Sequence, residues 1–409
     1  MFDLVDVIKS HSDKPDSENL HTMVLFHQSE ECKSFVEEAC RFEGLELPKT
    51  LVNNDKNIHE HARENSSCTI IIELTRSQNV SEDMQRISHL LPNNTSVIVV
   101  GTEGTICTIR NLKTLGFHYL FWPACQEEFV ELLHNLRPTQ ANNVKLSPTR
   151  KAKNIAILGA KGGVGTSFFA SQLAQNLAGK HNSSCVVADY NFTGGNLDIL
   201  LNVENFSKRN VSSAEVSTTL DTTYAMSMTQ DVNKLLSLLS IESDTLNEPE
   251  MRDILRTVIN ALSTQFNFIV EDFSSTSSCK EQLEYIAKNA DIVLLVMDKT
   301  VSSLREAKRL LDALQSHNSV ARHITILNNT RPEKAATVSD QEVKSFLEES
   351  PDITCAYESG LSQAILNAKA LNTQRLQVNN TVEQLTSLVL GKPYTKRSAI
   401  KLKQWLKKA

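Results

Sequence analysis

Short apolar runs separated by stretches of helical spacing recur along most of this chain. Between about residue 20 and residue 136, Met23–Phe26, Thr69–Leu74, Ser96–Val100 and His118–Phe121 read as strands. Strand–helix alternation of this kind predicts a small, mostly parallel sheet covered by helices. From Asn154 to about Leu390 the alternation resumes on a larger scale. Buried strands are expected there at Ile155–Leu158, Cys185–Ala188, Leu235–Leu239, Phe268–Val270, Ile292–Met297 and Ile324–Leu327. Arg137–Lys153, rich in Pro, Asn, Thr, Lys and Arg, reads as a linker. Glu204–Gln230 is polar and Ser/Thr-rich, which predicts a mobile surface insertion with no chemistry of its own. The expected layout is therefore 1–136, a linker at 137–153, a larger region at 154–391 and a basic tail at 392–409.

Composition narrows the function classes. A chain of 409 residues is long enough for two or three separately cored domains. Its formal net charge of −6 argues against a nucleic-acid partner, and none is expected. Cys32, Cys40, Cys68, Cys107, Cys125, Cys185, Cys279 and Cys355 form no C-x-x-C pair, so no zinc or iron–sulfur site is suggested. Free thiols fit a reducing compartment. Met1–Lys14 carries Asp3, Asp6 and Asp13 without a long apolar region, unlike a signal peptide. No run approaches the ~20 apolar residues of a membrane span. The expectation is a cytoplasmic protein.

The strongest chemical signal is Ile155-Ala156-Ile157-Leu158-Gly159-Ala160-Lys161-Gly162-Gly163-Val164-Gly165-Thr166-Ser167. An apolar strand runs into a glycine loop, and the Ala/Leu-rich stretch Phe168–Ala178 follows as a helix. Loop amides and a helix N-terminus together form an anion site. The pattern G-x-x-x-x-G-K-[ST] is broken at two positions, where Ala160 replaces the first glycine and Thr166 the lysine. Ser167 retains the hydroxyl suited to Mg²⁺, and Lys161 supplies a cation earlier in the loop. Lys161, Gly162, Gly163, Val164, Gly165, Thr166 and Ser167 are thus the nucleotide-holding candidates.

Downstream, Phe266–Asp272 is an apolar strand ending in an acid. A carboxylate at the carboxyl end of a parallel strand faces the phosphate loop and can hold Mg²⁺ through water. Glu271 points the other way on the same strand. Val186–Asp198 is a second strand end, with Asp189 followed by a glycine-containing loop that either approaches the terminal phosphate or is an ordinary turn. Ile324–Asn329 places Asn328 at a third strand end, where its amide either reads a purine edge or serves as a turn former.

Lys161–Ser167 resembles the deviant phosphate loop of the MinD/ParA superfamily, KGGxGK[ST]. Thr at the lysine position after Leu158-Gly159-Ala160 is similar to its CpaE/TadZ branch, the pilus-assembly proteins of type IVc (Flp/Tad) systems. Asp189–Asp198 resembles the switch loop and Phe266–Asp272 the metal-binding strand. Ala290–Val296 with Ser303–Lys308 resembles the strand and helix that follow, and Asn328 falls at the base-recognising Asn. The resemblance runs in order from Asn154 to about Leu390. It implies an α/β fold with a doubly wound, mainly parallel sheet of the P-loop NTPase class, and ATP with Mg²⁺ as cofactors. It also implies a homodimer around ATP, in which Lys161 reaches the partner's phosphates. Ser167, Asp189 and Asp272 would then lie at the metal, Asn328 at the base, and Lys161 and Asp272 would be the catalytic candidates.

Three departures bear on turnover. Loss of the second lysine removes a charge-assisted contact worth roughly 1.5–3 kcal/mol. Asn191 stands where relatives carry the acid that orients water, and Phe273-Ser274-Ser275-Thr276 stands where they carry Pro and Gly. Binding with very slow or absent hydrolysis is expected, so the chain is at most a weak ATPase.

Residues 20–136 resemble a receiver domain in layout, the usual N-terminal companion in the same branch. At the receiver's acidic pair, phosphoryl acceptor, hydroxyl and lysine stand His27-Gln28, Glu73, Thr102 and Trp122-Pro123. Only Thr102 fits, so a degenerate pseudo-receiver used for docking is expected. In Ser398–Ala409, helical spacing gathers Ala399, Leu402, Trp405, Leu406 and Ala409 on one face and Lys401, Lys403, Lys407 and Lys408 on the other. That is the pattern of an interfacial helix on a membrane surface, with a solvated tail or partner-docking helix as the alternative.

The resulting expectation is an ATP-binding, dimerising localisation scaffold for Tad/Flp-type pilus assembly components. It would be cytoplasmic, and peripheral at the inner membrane or cell pole. The alternatives are a cycling ParA/MinD-type ATPase on membrane or nucleoid DNA, a DNA-binding partition protein and, more remotely, a metal-cluster carrier.

Overall fold

The computed structural model describes residues 22–64, 68–93, 95–136, 150–212, 221–274, 280–317, 319–366 and 376–392. Most of the expected linker, part of the 204–230 insertion, Ser275-Thr276 and the Ser398–Ala409 tail lie outside them. The chain divides into one unit of residues 1–84 and 94–148 and a second of 85–93 and 149–409.

The first unit holds β1 (Thr22–His27), β2 (Lys49–Val52), β3 (Cys68–Glu73), β4 (Ser96–Gly101) and β5 (His118–Phe121), all parallel in the order β2-β1-β3-β4-β5. Strands covered on both faces read as continuous apolar runs rather than alternating ones, which is why Val97–Val100 and Ile70–Ile72 are wholly buried. Leu25, Val36, Ile71, Ile98 and Phe129 share one core. The helix Glu30–Phe42 starts where the Ser29 side chain accepts from Cys32 N–H, with Glu30 and Glu31 favourably placed in its first turn.

The second unit carries β6 (Lys153–Gly159), β7 (Cys185–Asp189), β8 (Arg209–Asn210), β9 (Gln230–Asn233), β10 (Leu236–Glu242), β11 (Phe268–Phe273), β12 (Ile292–Met297), β13 (Arg322–Asn328) and β14 (Ile353–Cys355). The order is β14-β13-β12-β6-β11-β7-β10-β8, with β9 antiparallel on β10 and the other pairings parallel. Apolar clusters cover both faces. The helix Thr166–Gly179 carries no charged residue and is buried along most of its length, its polar Thr166, Ser171, Gln172 and Asn176 included. Its strand β6 lies mid-sheet between β11 and β12, so the loop after β6 opens at the carboxyl ends of the central strands, where open α/β sheets bind ligands.

Each strand read from the apolar pattern is found, whereas β2, β8, β9 and β14 lie outside that reading. These four are short, and β8 and β9 are largely polar, so no apolar run marks them. The described part of 204–230 corrects the expectation of a mobile insertion. It contains β8, the helix Thr222–Ser227 and the start of β9, with Val211, Ala225 and Met228 buried in the main core.

Candidate nucleotide site

The loop between β6 and the helix Thr166–Gly179 is shaped by its glycines. Gly163 (φ +79°) and Gly165 (φ +100°) adopt left-handed conformations that side chains strain. A Cβ on Gly165 would also stand 2.7 Å from Asn328 Nδ2. Around Gly162 and Gly163 the space a Cβ would fill is open, so a ligand can come against the backbone there. Thr166, at the place of the missing lysine, is buried, and its hydroxyl lies where a side chain on Gly159 would stand. It seats the loop from beneath and brings no charge.

The two strand-end acids meet beside this loop. Asp272 on β11 is in register with Asp189 on β7, and both are buried. Asp272 Oδ1 accepts from Ser274 N–H at 3.1 Å, while Oδ2 is buried with no hydrogen-bond partner. Burial pushes the Asp272 carboxyl up to about 7, with the nearby Asp189 charge adding to the rise and the Ser167 and Ser274 hydroxyls opposing it. Burial likewise lifts Asp189 to about 6, against the Asn191 amide, Lys208 and the Ser240 hydroxyl. Asp189 Oδ1 accepts from Asn191 N–H at 2.9 Å and Oδ2 from Ser240 Oγ at 3.2 Å. A buried carboxylate oxygen without a donor, next to a serine hydroxyl and a second acid, fits a hard cation that takes oxygen ligands. Ser167, Asp189 and Asp272 are therefore brought together as a set able to hold Mg²⁺. Among the described residues, no cluster of three or more His, Cys, Asp or Glu side chains suited to a metal occurs.

Glu271 faces away from the loop. Burial raises its carboxyl to about 7, although the Tyr190 and Tyr285 hydroxyls donate to Oε2 at 2.7 and 3.2 Å. Arg256 in turn lies 4.3 Å over the Tyr285 ring.

Lys161 stands apart from the acid pair. Its Nζ lies 3.1 Å from Asp298 Oδ2 and donates to Thr300 Oγ1 at 2.9 Å; that hydroxyl donates to Asp298 Oδ1 at 2.6 Å. Asn328 Nδ2 donates to Val164 O at 2.8 Å, bracing the phosphate loop.

Lys208 was not legible as a site residue. Its ammonium donates to Asn191 O and, at 2.6 Å, to Gly194 O, and it lies 3.9 Å from Asp189 Oδ2. A lone lysine in a Ser/Thr-rich stretch gives no sequence signal. The open cleft, of about 360 Å³, is lined by Gly163, Gly165 and Ser167 on one side and by Asn191, Gly195 and Ser274 on the other. That volume lies within the ordinary range for small-molecule sites.

The chain is similar to MinD. It is 28% identical over 203 residues to the septum site-determining protein MinD of Helicobacter pylori (strain ATCC 700392 / 26695), covering 47% of this chain and 74% of that protein. Two solved structures also match part of the chain. One is a ParA family ATPase from Chlorobium tepidum TLS (TM-score 0.49, 19% identity, 57% of this chain and 98% of that one). The other is the MinD cell division protein of Aquifex aeolicus (TM-score 0.47, 19% identity, 60% and 100%). No protein-family model matches the chain. Among the described residues, no helix is long and apolar enough to cross a membrane.

Proposed function

We propose that this chain binds ATP with Mg²⁺ in the cleft, dimerises around it and turns it over slowly or not at all. The observation that carries this is the unpartnered Asp272 Oδ2 beside Ser167 at the foot of an open glycine loop. When bound, Mg²⁺ would neutralise phosphate charge; Ser167, Asp189 and Asp272 would hold it. Gly162–Thr166 cradle the phosphates through the backbone. Asn328 contacts the base through Oδ1 and its second Nδ2 hydrogen, the first being donated to Val164 O. Slow turnover follows from Thr166, which adds no cation, and from Asn191, which cannot act as a base. Lys161 serves the partner's phosphates once it leaves Asp298. A cation supplied in trans links nucleotide binding to dimerisation.

In the same reading the first region, 1–136, is a pseudo-receiver. Its strand order is that of flavodoxin-like doubly wound sheets. Glu73, at the acceptor position, is buried and accepts from Gln28 N, Ser29 N, Ser29 Oγ and Thr75 Oγ1 at 2.5–2.9 Å. A carboxylate so enclosed is a poor nucleophile, and incubation with small phosphodonors should leave Glu73 unlabelled. Together with the CpaE/TadZ-like loop and a tail suited to a membrane surface, this gives a localisation scaffold for a Tad/Flp-type pilus machine at the inner membrane or cell pole. The similarity to MinD favours a second reading, a cycling ATPase on membrane.

ATP affinity, steady-state hydrolysis and oligomeric state, measured on one purified sample, separate the two. Binding with dimerisation and no turnover is expected. Turnover at rates typical of active partition ATPases would establish the cycling enzyme, and no nucleotide binding would end both.

A further inference from the structure

The loop Asp189–Gly195 forms one wall of the cleft, and its own hydrogen bonds are few. Asn191 N–H is tied to Asp189 Oδ1, and Gly194 N–H to Asn191 Oδ1 at 3.1 Å. Gly195 (φ +109°) passes so close to Asp189 that a Cβ there would stand 2.9 Å from Oδ2. Two carbonyls of this loop, those of Asn191 and Gly194, converge on one ammonium, that of Lys208. The Lys208 side chain is only 13% exposed, and its charge also lies within 3.9 Å of Asp189. Its backbone is held as well, since the next residues, Arg209–Asn210, form β8 and pair with Ile241–Glu242 of β10. A lysine has three donors and no acceptor, so it can bind two carbonyls and a carboxylate at once.

We infer that Lys208 is the positioning residue for the Asp189–Gly195 loop, tethering this wall of the cleft so that Asp189, Asn191 and Gly195 stand ready for the terminal phosphate of a nucleoside triphosphate. The inference rests on the nucleotide reading above for its ligand, but the tether itself does not. In a chain whose phosphate loop lacks its usual lysine, Lys208 places a half-buried cation on another wall of the cleft. Its effect falls on the terminal phosphate, because the loop it holds lines the same cleft as Gly163, Gly165 and Ser167 of the phosphate loop. A diphosphate, which lacks that group, depends on it less.

The test uses the full chain with Lys208→Met and Lys208→Arg. Hydrogen exchange without nucleotide reads the tether directly. Met should speed exchange of the amides of residues 191–195 about tenfold or more, leave the helix Thr166–Gly179 unchanged, and be largely rescued by Arg. Unchanged exchange at 191–195, or equal speeding throughout the second unit, overturns the tether. Equilibrium binding of Mg–ATP and Mg–ADP reads the consequence. Met should weaken ATP by roughly tenfold and ADP by less than about threefold, a loss of discrimination that general destabilisation would not produce. Equal affinities for ATP in wild type and Met overturn the positioning role. Wild-type protein that binds neither nucleotide refutes the nucleotide reading and the positioning role together, whereas the exchange result still decides the tether.

Discussion

The two units each bury a carboxylate at the end of a parallel strand, and the two acids live opposite lives. Glu73 ends β3 fully enclosed, with two amides on Oε2 and two hydroxyls on Oε1. Asp272, near the end of β11, is as deeply buried, yet one of its oxygens meets no donor. Burial pushes Glu73 upward too, but the Ser29 and Thr75 hydroxyls and the Gln28 and Ser29 amides outweigh it, and the carboxyl titrates below its ordinary range. At Asp272 burial prevails and the carboxyl rises to about 7. A strand-end acid is thus not a site in itself. A satisfied carboxylate holds its own loops together, and one left short of a partner is prepared for something from outside.

The sharpest way to break this comparison is Asp272→Ala. It should cost roughly a hundredfold in Mg–ATP affinity, about 2.7 kcal/mol, while metal-free stability is maintained or rises. Isothermal titration and thermal melts check both halves, and a stability loss comparable to that of a core deletion would make Asp272 structural.

Next in size, Glu73→Ala should destabilise the first unit by about 2–4 kcal/mol, because the donors it leaves are buried. Trp122, packed edge-on against Phe35 at 5.3 Å, reports that unfolding in a Trp405→Phe background. Nucleotide affinity should not move.

The acids should also give the units opposite pH responses. Glu73 has its folded value depressed, so its contribution is complete above the unfolded value of about 4.3 and is lost as pH falls through the folded value. Asp272 and Asp189 have raised folded values, about 7 and about 6. Metal-free, the second unit should therefore be favoured below about pH 4 by these groups and lose that stability as pH rises towards 7. Chemical denaturation across pH 3–8, followed by Trp122 fluorescence for one unit and amide exchange for the other, tests the contrast. A second unit whose stability climbs between pH 4 and 7 would contradict it.

The smallest effect is expected at Asp298→Asn, which loosens the hold on a part-exposed Lys161. Freed lysines should strengthen ATP-dependent dimerisation by about threefold in sedimentation velocity, in keeping with the modest worth of a part-exposed ion pair. Weaker dimers would mean that Asp298 presents Lys161 rather than withholds it.

How much of this was legible differs by residue. The glycine loop could be read because strand, glycines and helix follow one another locally, and each is demanded by backbone geometry. Asp272 and Asp189 could be read because an apolar run ending in an acid marks a strand end. Nothing in the pattern separates Asp272 from Glu73, however, since their difference lies in donors brought from elsewhere in the fold. Ser29 reaches Glu73 across 44 residues of chain, and Lys161 reaches Asp298 and Thr300 across more than a hundred.

By itself, then, the sequence determined the alternation of buried strands and helices, the parallel sheets and the loop built to meet an anion, because these follow from periodicity and local backbone sterics. Only the tertiary structure decided which buried acid is satisfied and which is open. It also decided that Lys161 rests on its own chain and that Lys208, from a stretch without any motif, holds a wall of the cleft. Those outcomes depend on whether a donor from a distant segment arrives within hydrogen-bond reach, and one-dimensional spacing carries no measure of that distance.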